Sequence, residues 1–231
     1  MSNRNFDVIN HEKFVARYMD ANAHVMAYQS QQIQLHPLSI AFSVMKLPTA
    51  LFRAQYNFLL LFRSGGGKQQ VDNELVELQP NDILFIREGR LNAITSILAD
   101  TEGYFIHIDS ALLPQIFTDS TLLHNLTFHA KYSVSEQDMD WLCQCCELLA
   151  GQNHDNVYST AIQIALLKAI VLKLAAVSAR ILTKPDRQAE IAVLFKELLY
   201  DNFINHRDVK FYADLECLTK PFDSSKSNER A

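Results

Sequence analysis

Residues 56–109 constrain the fold more than any other part of the chain. Apolar runs at 56–62, 83–86 and 104–108 are separated by a Ser-Gly-Gly-Gly segment at 64–67 and by further Pro, Asn, Asp and Gly residues. Apolar runs of about 4–8 residues, broken every ~8–12 residues by such turn formers, are typical of a small antiparallel barrel or sandwich. The stretch predicts a β-domain that can enclose a small molecule.

The remainder of the chain adds helices to this β-domain, so the predicted fold class is α+β. Residues 6–20 read as helical or loop-like. Further strands are expected at 24–29, 33–36 and 39–47. After residue 109 the pattern becomes helical, with an amphipathic helix at 138–149, a longer one at 157–182 and another at 188–205.

Composition narrows the class of protein only modestly. With 231 residues, 48% of them hydrophobic and 20% charged, the chain resembles an ordinary soluble globular protein of more than one unit. The net charge of -5 gives no overall electrostatic footprint for nucleic acid. No apolar signal segment opens the sequence, and Cys143, Cys145 and Cys146 lack a zinc-type partner pair. We expect a cytoplasmic protein with reduced, buried thiols.

The helix predicted at 157–182 is apolar enough to raise the question of a membrane span. Lys168 and Lys173 near its middle argue against insertion, so no membrane partner is expected. A set of apolar residues follows the three-and-four spacing of a helix–helix seam: Leu167, Ile170, Leu174, Val177 and Ile181. Two hypotheses remain open. Either both surfaces of this helix pack within its own chain, or one meets the β-domain and the other a second subunit in a homodimer.

Catalytic chemistry has no clear signature in the sequence. The glycines at 65–67 precede Lys68, but the G-x4-G-K-S/T frame of a phosphate loop is absent. The eight histidines are scattered without metal-site spacing, and no nucleophile elbow is present. We therefore predict no catalytic residues, no metal site and no cofactor.

Two stretches carry a family resemblance. Residues 62–94 and 102–109 resemble the cupin-type sensor domain of AraC-family transcription regulators, and residues 208–214 with 217–219 are similar to the opening of that family's DNA-binding domain. The resemblance covers roughly residues 50–219. It implies a cupin-like antiparallel β-barrel (jelly roll) that binds an effector, then a helical dimerisation region, then helix-turn-helix units that bind DNA.

The resemblance also implies a division of the chain and a set of ligand-binding residues. The implied domains are an effector-binding barrel at 1–132, a dimerisation region at 133–182 and a partial helix-turn-helix segment at 183–231. Positions that hold histidine ligands in metal-dependent cupins fall near Arg53, Gln55 and Asn92, which are not a usual metal-ligand set. Such side chains suit the orientation of a polar ligand in an apolar cavity. The candidate ligand-binding residues are Arg53, Gln55, Phe58, Asn92, Phe105 and His107.

The end of the sequence departs from the family pattern. Glu216 stands where the family has a packing leucine, residues 221–228 read as a polar tail, and a second helix-turn-helix is missing. A carboxylate without a partner in a small core is costly, so DNA binding by this chain alone is expected to be impaired, and no DNA-binding residues are assigned. The prediction is the sensing and dimerisation part of an AraC-type regulator. A cupin enzyme and a ligand-free dimerisation module are the alternatives.

Overall fold

The computed structural model describes residues 6–20, 28–29, 32–117, 126, 130–152 and 157–181, with isolated positions between 195 and 215. It divides the chain into two compact units, Met1–Ile181 and Leu182–Ala231. Most of the helix predicted at 188–205 lies outside the described residues, as does Glu216. The first unit contains the β-domain and the helices that follow it.

Secondary structure in the first unit is built from short strands and five α-helices within the described ranges, with one 3-10 helix at Ser110–Leu112. The strands are β1 Asp7–Ile9, β2 Tyr28–Gln29, β3 Ile33–Pro37, β4 Phe52–Ala54, β5 Asn57–Ser64, β6 Gly67–Val71, β7 Glu74–Leu78, β8 Asp82–Ile86, β9 Leu91–Ile97, β10 Glu102–Ile108 and β11 Lys131–Ser133. The helices are α1 His11–Tyr18, α2 Leu38–Ser43, α3 Leu113–Ile116, α4 Glu136–Ala150 and α5 Ser159–Ile181.

The strands pair into two sheets. One has the order β11-β8-β5-β10-β3-β2, and the other has the order β1-β4-β9-β6-β7. All pairings are antiparallel except the parallel pair of β1 and β4. Side chains from both sheets share one buried cluster, so the sheets pack face to face. The α+β class with antiparallel sheets is confirmed, but the described strands form a two-sheet sandwich and not the closed barrel that was expected.

Strand β5 is buried on both faces, which explains its unbroken apolar sequence. Phe58, Leu60 and Phe62 point into the cluster between the two sheets. Leu59 and Leu61 point the opposite way, into a second cluster with the helices. Because side chains alternate along a strand, this single strand separates the interior of the sandwich from the helical layer.

The glycine segment after β5 carries the chain from one sheet to the other. Gly65 and Gly66 both have positive φ, at 68° and 151°, between β5 in the larger sheet and β6 in the smaller one. The Gly66 N–H donates to the hydroxyl of Thr101 at 3.0 Å. A Cβ on Gly66 would collide with the carbonyl oxygen of Leu78, so only glycine fits there. The predicted turn is present, but it joins strands of different sheets.

The strand predicted at 39–47 is wrong, because Leu38–Ser43 forms helix α2. Its buried residues are Leu38 and Ala41, one helical turn apart, while Ile40 is exposed. A short apolar run does not distinguish a strand from one buried helical turn, so periodicity alone gave the wrong assignment here.

Helix α4 begins at an N-cap formed by Ser135, whose hydroxyl accepts a hydrogen bond from the backbone N–H of Asp138 at 3.1 Å. Its buried face includes the free thiols of Cys143 and Cys146. Burial raises the pKa of the Cys143 thiol to about 11 and that of Cys146 well above its usual value. These thiols therefore stay protonated and pack as small apolar groups, as predicted for this helix.

Helix α5 packs one face into the core that α4 and β5 also line. Leu167, Ile170 and Leu174 are almost fully buried there, and Val177 is also buried. Ser159–Val177 is long and apolar enough to span a bilayer by length and composition, but a core helix has the same properties. The predicted dimer seam thus lies largely in the chain's own core, while the side chain of Ile181 is outside the described residues.

Candidate functional site

A pocket opens into the sandwich beneath helices α1 and α2. It is lined mainly by apolar and aromatic side chains, together with two histidines and one asparagine. The lining residues are His11, Phe14, Met19, His36, Ala41, Phe42, Met45, Phe52, Tyr56, Phe58, Leu60, Asn92, Ile94 and Phe105. The space open to the centre of a water molecule is about 30 Å³. That space holds two or three ordered waters, so a larger guest requires lining side chains to move.

Asn92 is the polar group that the smaller sheet directs into this pocket. It lies in β9, where its Cα is paired with Phe52 of β4 and with Val71 of β6. Residues directly opposite in antiparallel strands point to the same face, so Asn92 shares the inner face with two apolar neighbours. Its side chain is 1% exposed, and neither amide atom has a hydrogen-bond partner among the described residues.

The predicted ligand-binding residues fall into three groups. Phe58, Asn92 and Phe105 line the pocket. His107 lies just behind the lining, with its ring centroid 4.9 Å from that of Tyr56. Arg53 and Gln55 are not part of the lining. Arg53 donates to the carbonyl oxygen of Gly89 at 2.7 Å, and Gln55 is exposed.

A group of histidines crowds one side of the pocket. The ring centroid of His11 lies 5.4 Å from that of His36 and 5.0 Å from that of His107. Burial lowers the pKa of His11 to about 3 and that of His107 to about 4, with repulsion from neighbouring histidines adding to the effect. Both rings are therefore neutral at physiological pH. Across the ranges that the structure describes, no group of three or more His, Cys, Asp or Glu side chains is arranged to hold a metal ion.

Helix α1 positions His11 at the pocket. The Asn10 side chain caps the helix by accepting from the Lys13 N–H at 2.9 Å. Phe14 and Tyr18, on the buried side of α1, pack against Phe52 of β4 with ring centroids 5.3 Å and 6.1 Å away. These contacts hold α1 against β4, and His11 at the start of the helix lines the pocket.

Sequence reasoning missed His11, His36 and Tyr56, which the structure brings together with His107 and Phe105. These residues come from α1, β3, the turn before β5 and β10. Their separations in the chain follow no motif spacing. Only the pairing of distant strands places them side by side, so no local signal in the sequence predicts the cluster.

The fold and site together define a class: a two-sheet β-sandwich with an internal, mostly apolar pocket and a helical hairpin on its outer side. No family model matches the chain. No curated protein matches it in sequence either.

Solved structures that resemble the chain include regulators and a cupin. The AraC-like transcriptional activator CuxR is 15% identical with a TM-score of 0.39, covering 80% of this chain and 62% of that one. ToxT from Vibrio cholerae is 11% identical with a TM-score of 0.38, covering 82% and 72%. A cupin superfamily protein from Desulfitobacterium hafniense is 16% identical with a TM-score of 0.29, covering 36% and 72%. The chain thus spans less than two thirds of the CuxR chain.

Proposed function

We propose that this chain is the small-molecule-sensing and dimerisation part of an AraC-type transcription regulator, acting in the cytoplasm. The observation that carries the proposal is the pocket beneath α1, into which the buried Asn92 amide points without a described partner. An amide buried without hydrogen bonds costs about 1–3 kcal/mol. A ligand that pairs with this amide recovers that cost, which favours a binding site over a merely filled core. The resemblance of residues 62–94 and 102–109 to the family's sensor domain supports the same function.

Ligand entry is expected to displace lining side chains that lie just after the ends of α1 and α2. Met19 and Met45 occupy these positions. Methionine is unbranched and adopts many rotamers at low cost, so these two side chains can make room for a ring-sized guest. The small free volume of the pocket is therefore compatible with a sensor that rearranges when it binds.

Strand β5 offers a physical route from the pocket to the helices. Leu60 lines the pocket, whereas Leu59 and Leu61 on the opposite face belong to the core that α4 and α5 share. At the end of β5, Arg63 forms an ion pair with Asp140 of α4 at 2.9 Å. A guest that shifts β5 alters the support beneath α4. This coupling is how we propose that ligand binding reaches the dimer.

We propose that the outer face of the α4–α5 hairpin binds a second copy of the chain. Six of the eleven large apolar side chains that are exposed in the described residues belong to this hairpin or to the two residues before α5. Along α5 an apolar stripe follows four-and-three spacing on the face opposite the buried one. The stripe comprises Tyr158, Ile162, Ala165, Ala169, Leu172 and Ala176.

Charge favours a second copy as the occupant of this face. Helix α4 carries four acidic residues and no Lys or Arg, while α5 carries two lysines and Arg180 and no acidic residue. Within the chain, Lys173 already pairs with Asp138 at 2.5 Å and Arg63 pairs with Asp140. The charges that a second copy would meet are therefore those of the exposed Glu136 and Glu147 of α4 and of Lys168 of α5. A two-fold axis that lays α5 of one copy along α4 of the other brings these opposite charges together beside the apolar stripe. In this proposal the dimer contact is made by the exposed stripe on the outer face of α5, and not by the seam residues that the sequence predicted.

DNA contact, in the family that the sequence resembles, belongs to the segment after the dimerisation helices. In the second unit, Tyr212 is buried, its ring 5.8 Å from that of Phe195, and Phe211 stacks on His206 at 3.8 Å. We propose that this unit binds DNA only weakly by itself, because Glu216 stands where the family pattern has a core leucine.

A ligand screen tests the sensing function. We expect at least one compound from a panel of fatty acids, sugars, aromatic acids and neutral aromatics to raise the melting temperature. A ligand present at about 100 times its dissociation constant adds about 2.7 kcal/mol to the free energy of unfolding. If no compound in the panel raises the melting temperature, the sensing function is contradicted and the ligand-free dimerisation module is favoured. One iron, zinc or manganese per chain in the purified protein would instead favour a cupin enzyme.

A further inference from the structure

The pocket lining carries no permanently charged side chain. Its fourteen residues include no Lys, Arg, Asp or Glu. Burial holds the lining histidine His11 in its neutral form, and it raises the pKa of the Tyr56 phenol, which therefore also stays neutral. An ionised ligand would lose its hydration here without meeting a counter-charge, which is the costly case for burial. The lining therefore selects for neutral molecules.

Aromatic rings dominate the lining. Tyr56, Phe58 and Phe105 form a connected group, with ring centroids 5.7 Å apart between Tyr56 and Phe58 and 5.5 Å apart between Phe58 and Phe105. These spacings are those of tilted and offset aromatic contacts. A flat ring inserted among them gains the same contacts, whereas a flexible alkyl chain loses more conformational entropy on binding. The lining favours a planar guest.

The Asn92 carboxamide gives this apolar pocket a specific polar edge. Its Oδ1 accepts and its Nδ2 donates, and neither has a hydrogen-bond partner within the described part of the chain. The nearby Thr49 hydroxyl already accepts from the Ile94 N–H at 2.9 Å. A group that carries a donor beside an acceptor satisfies both atoms of the amide at once, as one carboxamide pairs with another.

We propose that this pocket binds a neutral, single-ring aromatic molecule that carries a hydrogen-bond donor beside an acceptor on one edge, as a carboxamide does. The side-chain amide of Asn92 forms hydrogen bonds with both of these groups. The inference rests on the proposed function, in which the pocket binds a small molecule. The single ring follows from the small free volume of about 30 Å³, because each larger guest must displace more of the lining.

Gln69 provides a matched control for the role of Asn92. It lies in β6 opposite Ile94 on the same inner face, it is 1% exposed, and its amide atoms also lack partners among the residues described. It is not one of the lining residues. Asn92→Leu and Gln69→Leu therefore remove the same chemical group from the same face, and only the first removes it from the pocket. Both variants are expected to fold, since replacing an unsatisfied buried amide with an apolar group is nearly neutral or stabilising.

Calorimetric titration at neutral pH with benzamide, benzoate and toluene tests the inference on the full chain. The wild-type protein is expected to bind benzamide roughly tenfold more tightly than either analogue, which corresponds to about 1.4 kcal/mol. Asn92→Leu removes the preference over toluene, and Gln69→Leu retains it. The preference over benzoate follows from the uncharged lining and is expected to persist in both variants. Asn92→Ala serves as a second variant with the same expected loss.

Each other outcome overturns the inference in a distinguishable way. Toluene binding as tightly as benzamide, or a preference over toluene that persists in Asn92→Leu, would show that Asn92 does not select the ligand although the pocket binds one. Benzoate binding as tightly as benzamide would show that the lining does not exclude charged molecules. If none of the three compounds binds, the chemical class is wrong. In that case, binding of a compound from the broader panel of fatty acids and sugars would still support the sensing function. If no compound of that panel binds either, both proposals are contradicted.

Discussion

At the scale of single residues, the register of strands β4 and β9 decides which of the predicted ligand-binding side chains face the pocket. Asn92 was selected from the sequence together with Arg53 and Gln55, but only Asn92 faces the interior. In β4 the inward residues are Phe52 and Ala54, because side chains alternate between the two faces. A one-residue difference in register moves a side chain to the opposite face, and sequence alone does not fix register at that precision.

The buried histidines make stability depend on pH in a defined direction. The pKa of His107 is about 4 in the folded protein against 6.5 without burial, despite the opposing effect of Asp109. Between these values the unfolded chain binds a proton that the folded chain does not, so the free energy of unfolding falls as pH decreases from 6.5 to 4. His107→Gln should reduce this slope by up to about 1.4 kcal/mol per pH unit.

Urea unfolding at a series of pH values, for wild type and His107→Gln, measures the effect. Because His107 also lowers the pKa of His11, the difference between the two curves reports the titration of His107 together with its effect on His11. Parallel curves from pH 4 to 6.5 would mean that His107 is not held neutral by the fold.

At the scale of secondary structure elements, the two faces of α5 carry different roles. The three-and-four spacing correctly predicted a packed helix, but it did not distinguish packing within the chain from packing between chains. The predicted seam residues Leu167, Ile170 and Leu174 lie in the chain's own core. The exposed apolar stripe is recognisable only after the other face has been assigned to that core.

Matched truncations on α5 separate the two faces. Ile170 is 1% exposed, so Ile170→Ala should lower the free energy of unfolding by about 2–5 kcal/mol. Leu172 is 48% exposed, so Leu172→Ala should change the stability of the monomer by less than about 0.5 kcal/mol while weakening dimerisation roughly tenfold or more. Urea unfolding measures the first effect, and size-exclusion chromatography with light scattering measures the second. A wild-type protein that stays monomeric at high micromolar concentration would rule out the proposed dimer face.

At the scale of the whole molecule, the pocket and the α4–α5 hairpin both belong to the unit Met1–Ile181. The β-sandwich and the helices share one buried cluster, in which β5 and β10 pack against α4. The proposed sensing and dimerisation functions therefore fall within one compact unit, which includes both sides of the boundary at residue 132 that the family resemblance implies.

A fragment that ends at Ile181 should fold without the second unit. We expect it to melt in one cooperative transition, to bind the same ligand as the full chain and to dimerise with similar affinity. Thermal unfolding followed by circular dichroism, repeated with ligand, measures the first two properties, and light scattering measures the third. A fragment that aggregates or loses ligand binding would show that the second unit is needed to complete the first.

The sequence by itself determined the class of the fold and the position of its longest elements. The β-run at 56–109 and the helices α4 and α5 are strongly periodic, and such periodicity is recorded in neighbouring residues. The burial of the cysteines in α4 follows from the same local pattern. The tertiary structure alone decided which side chains meet in the pocket and which face of α5 is left exposed. Strand pairing between distant parts of the chain brings together His11, His36, Asn92 and His107. The residues next to each of them in the sequence do not predict which strands pair.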